Sequence, residues 1–153
     1  MPQTKCGFDD SPGAPGSILL MAWGPTLGVN VGFDPTYTDP PAMPVPGITD
    51  IGALVDTDAT ECCIDNLLAA QLGLPIVDRR SISGVHGSHL ANVHLAQVHV
   101  PSLNFTVYGA FAGVDLVAGG QQHQVLMGRT FLQSFTMVYE GRTGTVTLSS
   151  SSY

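Results

Sequence analysis

The sequence is poor in charged residues and contains no long hydrophobic run. Charged side chains make up 11% of the 153 residues, and only five of them are lysine or arginine. The net charge of −7 at pH 7 disfavours nucleic acid or an anionic membrane as a partner, because both select for basic surfaces. The apolar stretch at residues 18–23 is too short to span a bilayer, and no signal peptide is visible at the N-terminus. We therefore expect a soluble, cytoplasmic protein.

Cysteine is also scarce. The three cysteines, Cys6, Cys62 and Cys63, are too few for a disulfide framework, and two of them are sequence neighbours that rarely bridge each other without strain. No lysine or arginine lies close in sequence to lower the pKa of either Cys62 or Cys63. We interpret these cysteines as small packing residues of a protein in a reducing compartment, and not as redox or nucleophilic groups.

Several well-known site patterns are missing. The sequence has no Gly-x-Ser-x-Gly elbow for a serine nucleophile and no glycine pattern that would bind phosphate. His86 and His89 are three residues apart, and His94, His99 and His123 follow, but no cysteine or acidic residue completes a tetrahedral set at known spacings. We therefore predict no metal site and no cofactor.

Glycine, proline and short apolar runs are what the sequence has in quantity. Eighteen glycines and eleven prolines in a chain of one-domain length favour a turn-rich, all-β domain. The apolar residues of 27–33 alternate with period two, which is typical of a half-buried strand. We expect further strands at residues 18–23, 93–100, 103–111, 135–139 and 143–148, a hairpin within 76–92, loops at 34–46 and 113–124, and helices at 64–72 and 129–134.

The most informative stretch is Ile51–Val55, which reads as a buried strand that delivers Asp56 into the short polar turn Asp56-Thr57-Asp58. A carboxylate placed there would be partly desolvated, so its charge must be satisfied by neighbours or by sharing a proton. A single carboxylate cannot activate a water and protonate a leaving group at the same instant, whereas two that share one proton can. No second copy of the motif occurs, so a homodimer with a two-fold axis between two Asp56 side chains is the economical way to build such a site.

Two segments of the sequence resemble the single-domain, retropepsin-like aspartic proteases, particularly their bacterial relatives. The first is Leu-Val-Asp-Thr-Asp-Ala-Thr at 54–60 with the Leu-Gly-Leu-Pro segment at 72–75, and the second is Val-Leu-Met-Gly-Arg-Thr-Phe-Leu at 125–132. The resemblance covers residues 18–149, which leaves residues 1–17 as a flexible arm and 150–153 as a tail. It implies a retropepsin-like acid protease barrel with one or two short helices, closed by homodimerisation.

The resemblance also assigns roles to individual residues. It implies that a dyad of two Asp56 residues activates water against a peptide bond, and that the Thr57 hydroxyl crosses the axis to keep the carboxylates coplanar. It implies that Ala59 and Thr60 line the substrate cleft. The segment Gly84, Val85, His86 and Gly87 is then the flap that covers the substrate, although from the residues alone an ordinary surface hairpin is equally compatible with this segment.

Asp58 departs from the family motif, which has glycine at this position. An aspartate adds bulk and one more acid per subunit, so up to four carboxylates would crowd the axis and raise the pKa of at least one. Three readings follow: a peptidase with altered specificity or pH dependence, a carboxylate site for a small substrate such as an epoxide or glycoside, or a dimer that only binds. Proteolysis is the reading we favour.

Arg129 is a second residue to which the resemblance gives a role. In retroviral relatives the arginine after the core glycine pairs with a carboxylate just downstream of the catalytic motif. Here that position is Thr60, so two alternatives are open: the next residue, Glu61, takes over the pairing, or Arg129 is solvated.

Overall fold

A computed structural model describes residues 2–34, 47–84 and 87–150 of the chain. Most of these residues lie in strands, which confirms the mainly β architecture expected from the sequence. The strands are β1 (Gln3–Lys5), β2 (Thr26–Gly32), β3 (Ile48–Val55), β4 (Cys63–Asp65), β5 (Ile76–Gly84), β6 (Gly87–Val100), β7 (Phe105–Val114), β8 (Val125–Met127), β9 (Phe135–Glu140) and β10 (Thr145–Ser150). The α-helices are α1 (Gly16–Trp23), α2 (Asn66–Leu72) and α3 (Arg129–Leu132), and a 3-10 turn spans Pro101–Leu103.

Seven strands form one sheet in the order β2-β3-β8-β4-β7-β6-β5. Strand β2 also pairs with β6, so the sheet curls back on itself around the core. Within it, β3 and β8 run parallel, with Val55 opposite Met127. A smaller antiparallel sheet, β1-β10-β9, joins the two ends of the described chain. Three phenylalanines connect the two sheets: Phe105, Phe131 and Phe135 pack with ring centroids 4.8 to 5.7 Å apart.

The alternating pattern in β2 is confirmed. Leu27, Val29 and Val31 are fully buried, and Phe33 lies half-buried just after the strand. They join a continuous core that includes Ile64, Leu68, Val98, Val100, Phe111, Val125, Met127, Phe131, Val146 and Leu148. The proline-rich loop expected at 34–46 lies outside the described residues except for Asp34. None of the helices in the described ranges is long and apolar enough to cross a membrane.

Two sequence-based predictions about local structure are wrong. Residues 18–23 belong to helix α1 and not to a strand, because Leu, Met and Ala are good helix formers and Gly24, at φ 75°, ends the helix. The helix expected from residue 64 begins at Asn66, since the preceding residues form β4. The described residues include three short α-helices, in keeping with the few short helices expected.

The start of the chain also differs from the flexible arm expected at residues 1–17. Gln3–Lys5 pair with β10 in register, and the Cys6 N–H donates a hydrogen bond to the Val146 carbonyl at 2.9 Å. Cys6 is fully buried. No local sequence pattern reveals this pairing, because the paired residues of β1 and β10 are more than 140 positions apart. The proposed domain boundaries themselves stay predictions.

Candidate active site

Asp56 lies directly after the last residue of β3. Its backbone N–H donates a hydrogen bond to the Met127 carbonyl at 3.0 Å, so the parallel pairing of β3 with β8 continues into the turn. Val55 and Met127 are buried, while Asp56 is half-buried. The strand therefore holds the carboxylate at the border between the core and solvent.

The turn after Asp56 is organised by that carboxylate. The Asp58 N–H donates to Asp56 Oδ1 at 3.0 Å, an arrangement typical of an Asx turn. Thr57 and Asp58 are exposed, and Ala59 is half-buried. Asp58 does not have a positive φ; among the non-glycine residues of the described ranges, only Asp50 and Asn104 do. The backbone therefore accepts a side chain at position 58 without strain.

Arg129 holds the turn from the other side, with partners that differ from those expected. Its Nη1 donates to the carbonyls of Thr57 at 2.8 Å and Asp58 at 3.1 Å, and its Nη2 donates to Thr60 Oγ1 at 2.9 Å. The predicted pairing with Glu61 is wrong, because Glu61 pairs with Arg80. Arg129 is exposed, as the alternative of a solvated arginine expects, but it also makes these hydrogen bonds to the turn. The planar guanidinium fits this set of acceptors because its donors point in fixed directions.

Gly128 brings helix α3 against the turn, as its place in the motif predicts. A Cβ on Gly128 would collide with the carbonyl oxygens of Ala59 and Glu61. The close approach lets the Arg129 N–H donate to the Ala59 carbonyl at 2.9 Å, and the Thr130 N–H to the Thr60 carbonyl at 3.1 Å. The turn is thus fixed to α3 by both backbone and side-chain bonds.

Glu61 pairs instead with Arg80 on β5, a contact that sequence reasoning missed. Arg80 Nη1 lies 2.8 Å from Glu61 Oε1 and 2.6 Å from Oε2, and Arg80 Nε lies 3.7 Å from Asp78 Oδ2. Both partners are partly exposed, so the pair contributes little to overall stability. The ion pair is relevant to the site because it connects the residues after the Asp56 turn to the hairpin.

The expected hairpin is present as β5 and β6, with Gly84 opposite Gly87 at its described end. The tip residues Val85 and His86, proposed to cover the substrate, lie outside the described residues. The structure therefore brings Asp56, Thr57, Asp58, Ala59 and Thr60 together in one turn. The Glu61–Arg80 ion pair joins the base of the hairpin to the same region.

The cysteines beside the turn lack the surroundings of a nucleophile. Cys6, Cys62 and Cys63 are free thiols. Burial raises the pKa of Cys62, and it raises the pKa of Cys63 to about 11, to which the charge of Glu61 also contributes. A thiol with a raised pKa is almost entirely protonated at neutral pH and therefore unreactive.

The described histidines have varied surroundings. His99 Nδ1 lies 2.9 Å from Thr106 Oγ1, and the buried His123 bridges Thr26 Oγ1 at 2.7 Å and Gln121 Oε1 at 2.9 Å. Burial lowers the pKa of His123. His94 is buried and both of its ring nitrogens lack a hydrogen-bond partner within the described residues. In these parts of the chain, no three His, Cys, Asp or Glu side chains are grouped so that they could hold a metal ion.

Comparison with known proteins finds similarity to solved structures but none at the level of sequence families. No family model matches the sequence, and no curated protein matches it. Among solved structures, the chain is similar to EIAV protease in complex with the inhibitor HBY-793. The two share 16% sequence identity over 71% of this chain and 85% of that one, with a TM-score of 0.47.

Proposed function

We propose that this protein is an aspartic-type endopeptidase that works as a homodimer, with one Asp56 from each subunit forming the catalytic dyad. The observation that carries the proposal is the Asp56 turn. A carboxylate at the end of a buried strand has its backbone fixed by Met127, and the turn around it is fixed by Arg129. Such fixed placement is what general acid–base catalysis requires of its groups.

The proposed reaction uses the two Asp56 carboxyl groups in opposite protonation states. The ionised one takes a proton from a water molecule whose oxygen attacks the peptide carbonyl carbon. The protonated one gives its proton to the carbonyl oxygen, so no free oxyanion accumulates. When the tetrahedral intermediate breaks down, the C–N bond cleaves and the carboxyl group that took the water proton gives it to the leaving nitrogen. The other, ionised carboxylate takes a proton from a hydroxyl of the intermediate as the product carboxyl forms, so the dyad again holds one proton.

The surroundings of the turn support a site that admits an extended chain. Thr57 and Asp58 are exposed, so the turn is open to a second copy of the chain and to substrate. Hairpin β5–β6 is joined to the segment after the turn through Glu61 and Arg80, which suits a cover over a cleft. We propose that Ala59 and Thr60 contact the substrate backbone, and that Gly84, Val85, His86 and Gly87 close over it.

Replacement of Asp56 with asparagine tests this proposal. Asparagine keeps the shape of the side chain and still accepts the Asp58 N–H, but it cannot share a proton. We expect cleavage of a mixed peptide library to fall by at least about a thousandfold. The measurement is library cleavage across the acid-to-neutral pH range, with thermal unfolding followed in parallel.

Asp50 on the same strand provides a matched control. It is exposed and has φ 57°, a conformation that asparagine tolerates well, so Asp50→Asn makes the same chemical change away from the turn. We expect this variant to cleave peptides at the parental rate. Full activity in Asp56→Asn would overturn the proposal. Turnover of an epoxide or glycoside, with no peptide cleavage by the parent, would favour a small-molecule hydrolase on the same dyad.

A further inference from the structure

A cavity of about 360 Å³ lies under helix α2, lined by none of the residues 56–61 that form the proposed active site. The residues that line it come from α2, from the hairpin strands β5 and β6, and from the end of β7. Its apolar wall includes Leu74, Ile76 and Leu90, of which Ile76 and Leu90 are largely exposed. Its polar residues are Asn66, His89, Asn92, His94 and Asp115. An apolar cavity with a few converging polar groups is the usual form of a small-ligand site.

His94 is the feature that packing alone does not explain. The residue is only 5% exposed, it lines the cavity, and neither Nδ1 nor Nε2 has a hydrogen-bond partner within the described residues. An unpaired polar group in this position costs free energy, so it calls for a partner that the cavity would receive. A neutral imidazole offers one acceptor and one donor.

Hydrogen-bond acceptors converge beside His94 because position 113 has no side chain. A Cβ on Gly113 would meet three polar atoms, namely Asn66 Oδ1, His94 Nε2 and the Asn92 carbonyl oxygen. The Asn66 amide is held in its orientation by donating from Nδ2 to Asp115 Oδ1 at 2.8 Å. Asn66 Oδ1 then lies on the side of Gly113, while the exposed Asp115 carboxylate lines the cavity.

The charge of the cavity selects the type of ligand. No lysine or arginine lines it, whereas Asp115 contributes a carboxylate, and the whole chain carries a net charge of −7. A metal ion does not fit, since the histidines and Asp115 are not arranged as a ligand set of three. A ligand with several N–H donors and a positive charge matches the acceptors, and an alkyl chain matches Leu74, Ile76 and Leu90.

We propose that this cavity binds a primary alkylammonium group, either a free amine or the side chain of a lysine in a partner protein. The ammonium group donates to Asp115 and to the acceptors around Gly113, and its alkyl chain packs against the apolar wall. An occupant contacts α2 and the β5–β6 hairpin together, because both line the cavity.

The test is titration of the whole protein with pentylamine, 1-pentanol and Nα-acetyl-lysine N-methylamide at about pH 8, where the amines are protonated and histidine is neutral. Binding is followed by calorimetry and by the NMR shifts of the His94 ring. We expect pentylamine to bind more tightly than pentanol by about tenfold, and Asp115→Asn to remove this preference. Tighter binding of the lysine derivative than of pentylamine would point to a protein partner, and the reverse would point to a free amine.

A variant that fills the cavity tests whether the amine binds inside it. Ala70 is an exposed residue of α2 that lines it, so Ala70→Phe fills the space from a position where folding tolerates a larger side chain. Gln71→Phe introduces the same side chain at the next residue, which is also exposed but does not line the cavity. We expect the first variant to lose at least about tenfold in pentylamine affinity and the second to keep parental affinity. Equal binding of pentanol and pentylamine, no binding of either, or unchanged binding by Ala70→Phe would overturn the proposal.

Discussion

At the scale of single residues, Asp58 stands where the motif that the sequence resembles has glycine. Asp58 does not have a positive φ, and its N–H already donates a hydrogen bond to Asp56 Oδ1. The backbone therefore does not require glycine here, and the effect of Asp58 must come from the bulk and charge of its exposed side chain. In a dimer its charge would lie close to both dyad carboxyl groups.

Replacing Asp58 with glycine should make room for an extended peptide and remove one acid per subunit. We expect peptide-library cleavage to rise and its pH optimum to move downward, because fewer neighbouring negative charges let the dyad lose its second proton at a lower pH. The measurement is cleavage against pH for both proteins. Asp58→Asn separates the two effects, since it removes the charge and keeps the bulk. If the parent already cleaves efficiently and Asp58→Gly leaves its rate and pH profile unchanged, Asp58 neither obstructs nor crowds the site.

His123 makes a residue-scale prediction about acid stability. Burial lowers its pKa, so the folded protein favours the neutral ring, while the unfolded chain protonates near pH 6.5. The contribution of the neutral ring is fully present above pH 6.5 and is lost as the pH falls through the lowered folded-state pKa. We expect the free energy of unfolding to decrease from pH 7 to pH 5 by less than about 1.4 kcal/mol per pH unit from this group, the limit for one proton.

Urea unfolding at several pH values checks this expectation. His123→Gln should flatten the slope, whereas His89→Gln, a change at an exposed histidine of the hairpin, should leave it as it is. An unchanged slope in His123→Gln would show that other groups control the acid response. The comparison is of slopes, so a constant loss of stability in the variant does not obscure it.

At the scale of elements, the contact between α3 and the Asp56 turn makes the next prediction. Arg129 donates three hydrogen bonds to this turn, and lysine cannot reproduce their geometry. We expect Arg129→Lys to destabilise the protein by about 1 kcal/mol and to reduce peptide cleavage by about tenfold, through looser placement of Asp56. Thermal unfolding and kcat/KM measure the two effects.

Arg142→Lys is the control for that experiment, because Arg142 is an exposed arginine in the turn between β9 and β10. It should leave both quantities at their parental values. Parental cleavage by Arg129→Lys would mean that the backbone bonds from α3 alone suffice to hold the turn.

The sequence predicted those elements that have a local pattern, such as an alternation of apolar residues or a glycine at a close contact. The period-two pattern identified β2, and the glycine in Leu-Met-Gly-Arg identified the close approach of α3 to the turn. The strand prediction for residues 18–23 was wrong because six consecutive apolar residues show no periodicity that distinguishes a helix from a strand. Strand β6 is continuous through the predicted 93–100, although Val93, Ala96 and Gln97 place buried residues on both of its faces and so break a strict period-two pattern.

The partners of charged side chains were harder to predict than the elements. Arg80 and Glu61 are 19 residues apart on separate elements, and no local pattern connects them. The polar atoms around Gly113 of β7 come from α2 and β6, so only the folded chain brings them together. Arg129 was correctly singled out, but its partners are mostly backbone carbonyls, which every residue has and which composition therefore cannot reveal.

At the scale of the whole molecule, the proposed site requires two copies of the chain. The smaller sheet and helix α1 leave apolar side chains exposed, among them Val138 on β9 and Met21 on α1. We expect the parent to sediment as a dimer at micromolar concentration and Val138→Glu to shift it toward monomer, because two carboxylates then meet across an apolar contact. Val77→Glu, on hairpin strand β5, should remain dimeric. A parent that sediments only as a monomer would contradict the two-fold site.

The pairing of β1 with β10 has a consequence for connectivity. The Ser150 N–H donates to the Pro2 carbonyl at 3.0 Å, so the first and last described residues are neighbours in space. A few added residues would join them into an uninterrupted loop, and the backbone could then be opened between Gly119 and Gly120, in the exposed segment before β8. The resulting circular permutant would have the same sheets in a new chain order, with its free ends moved away from the smaller sheet.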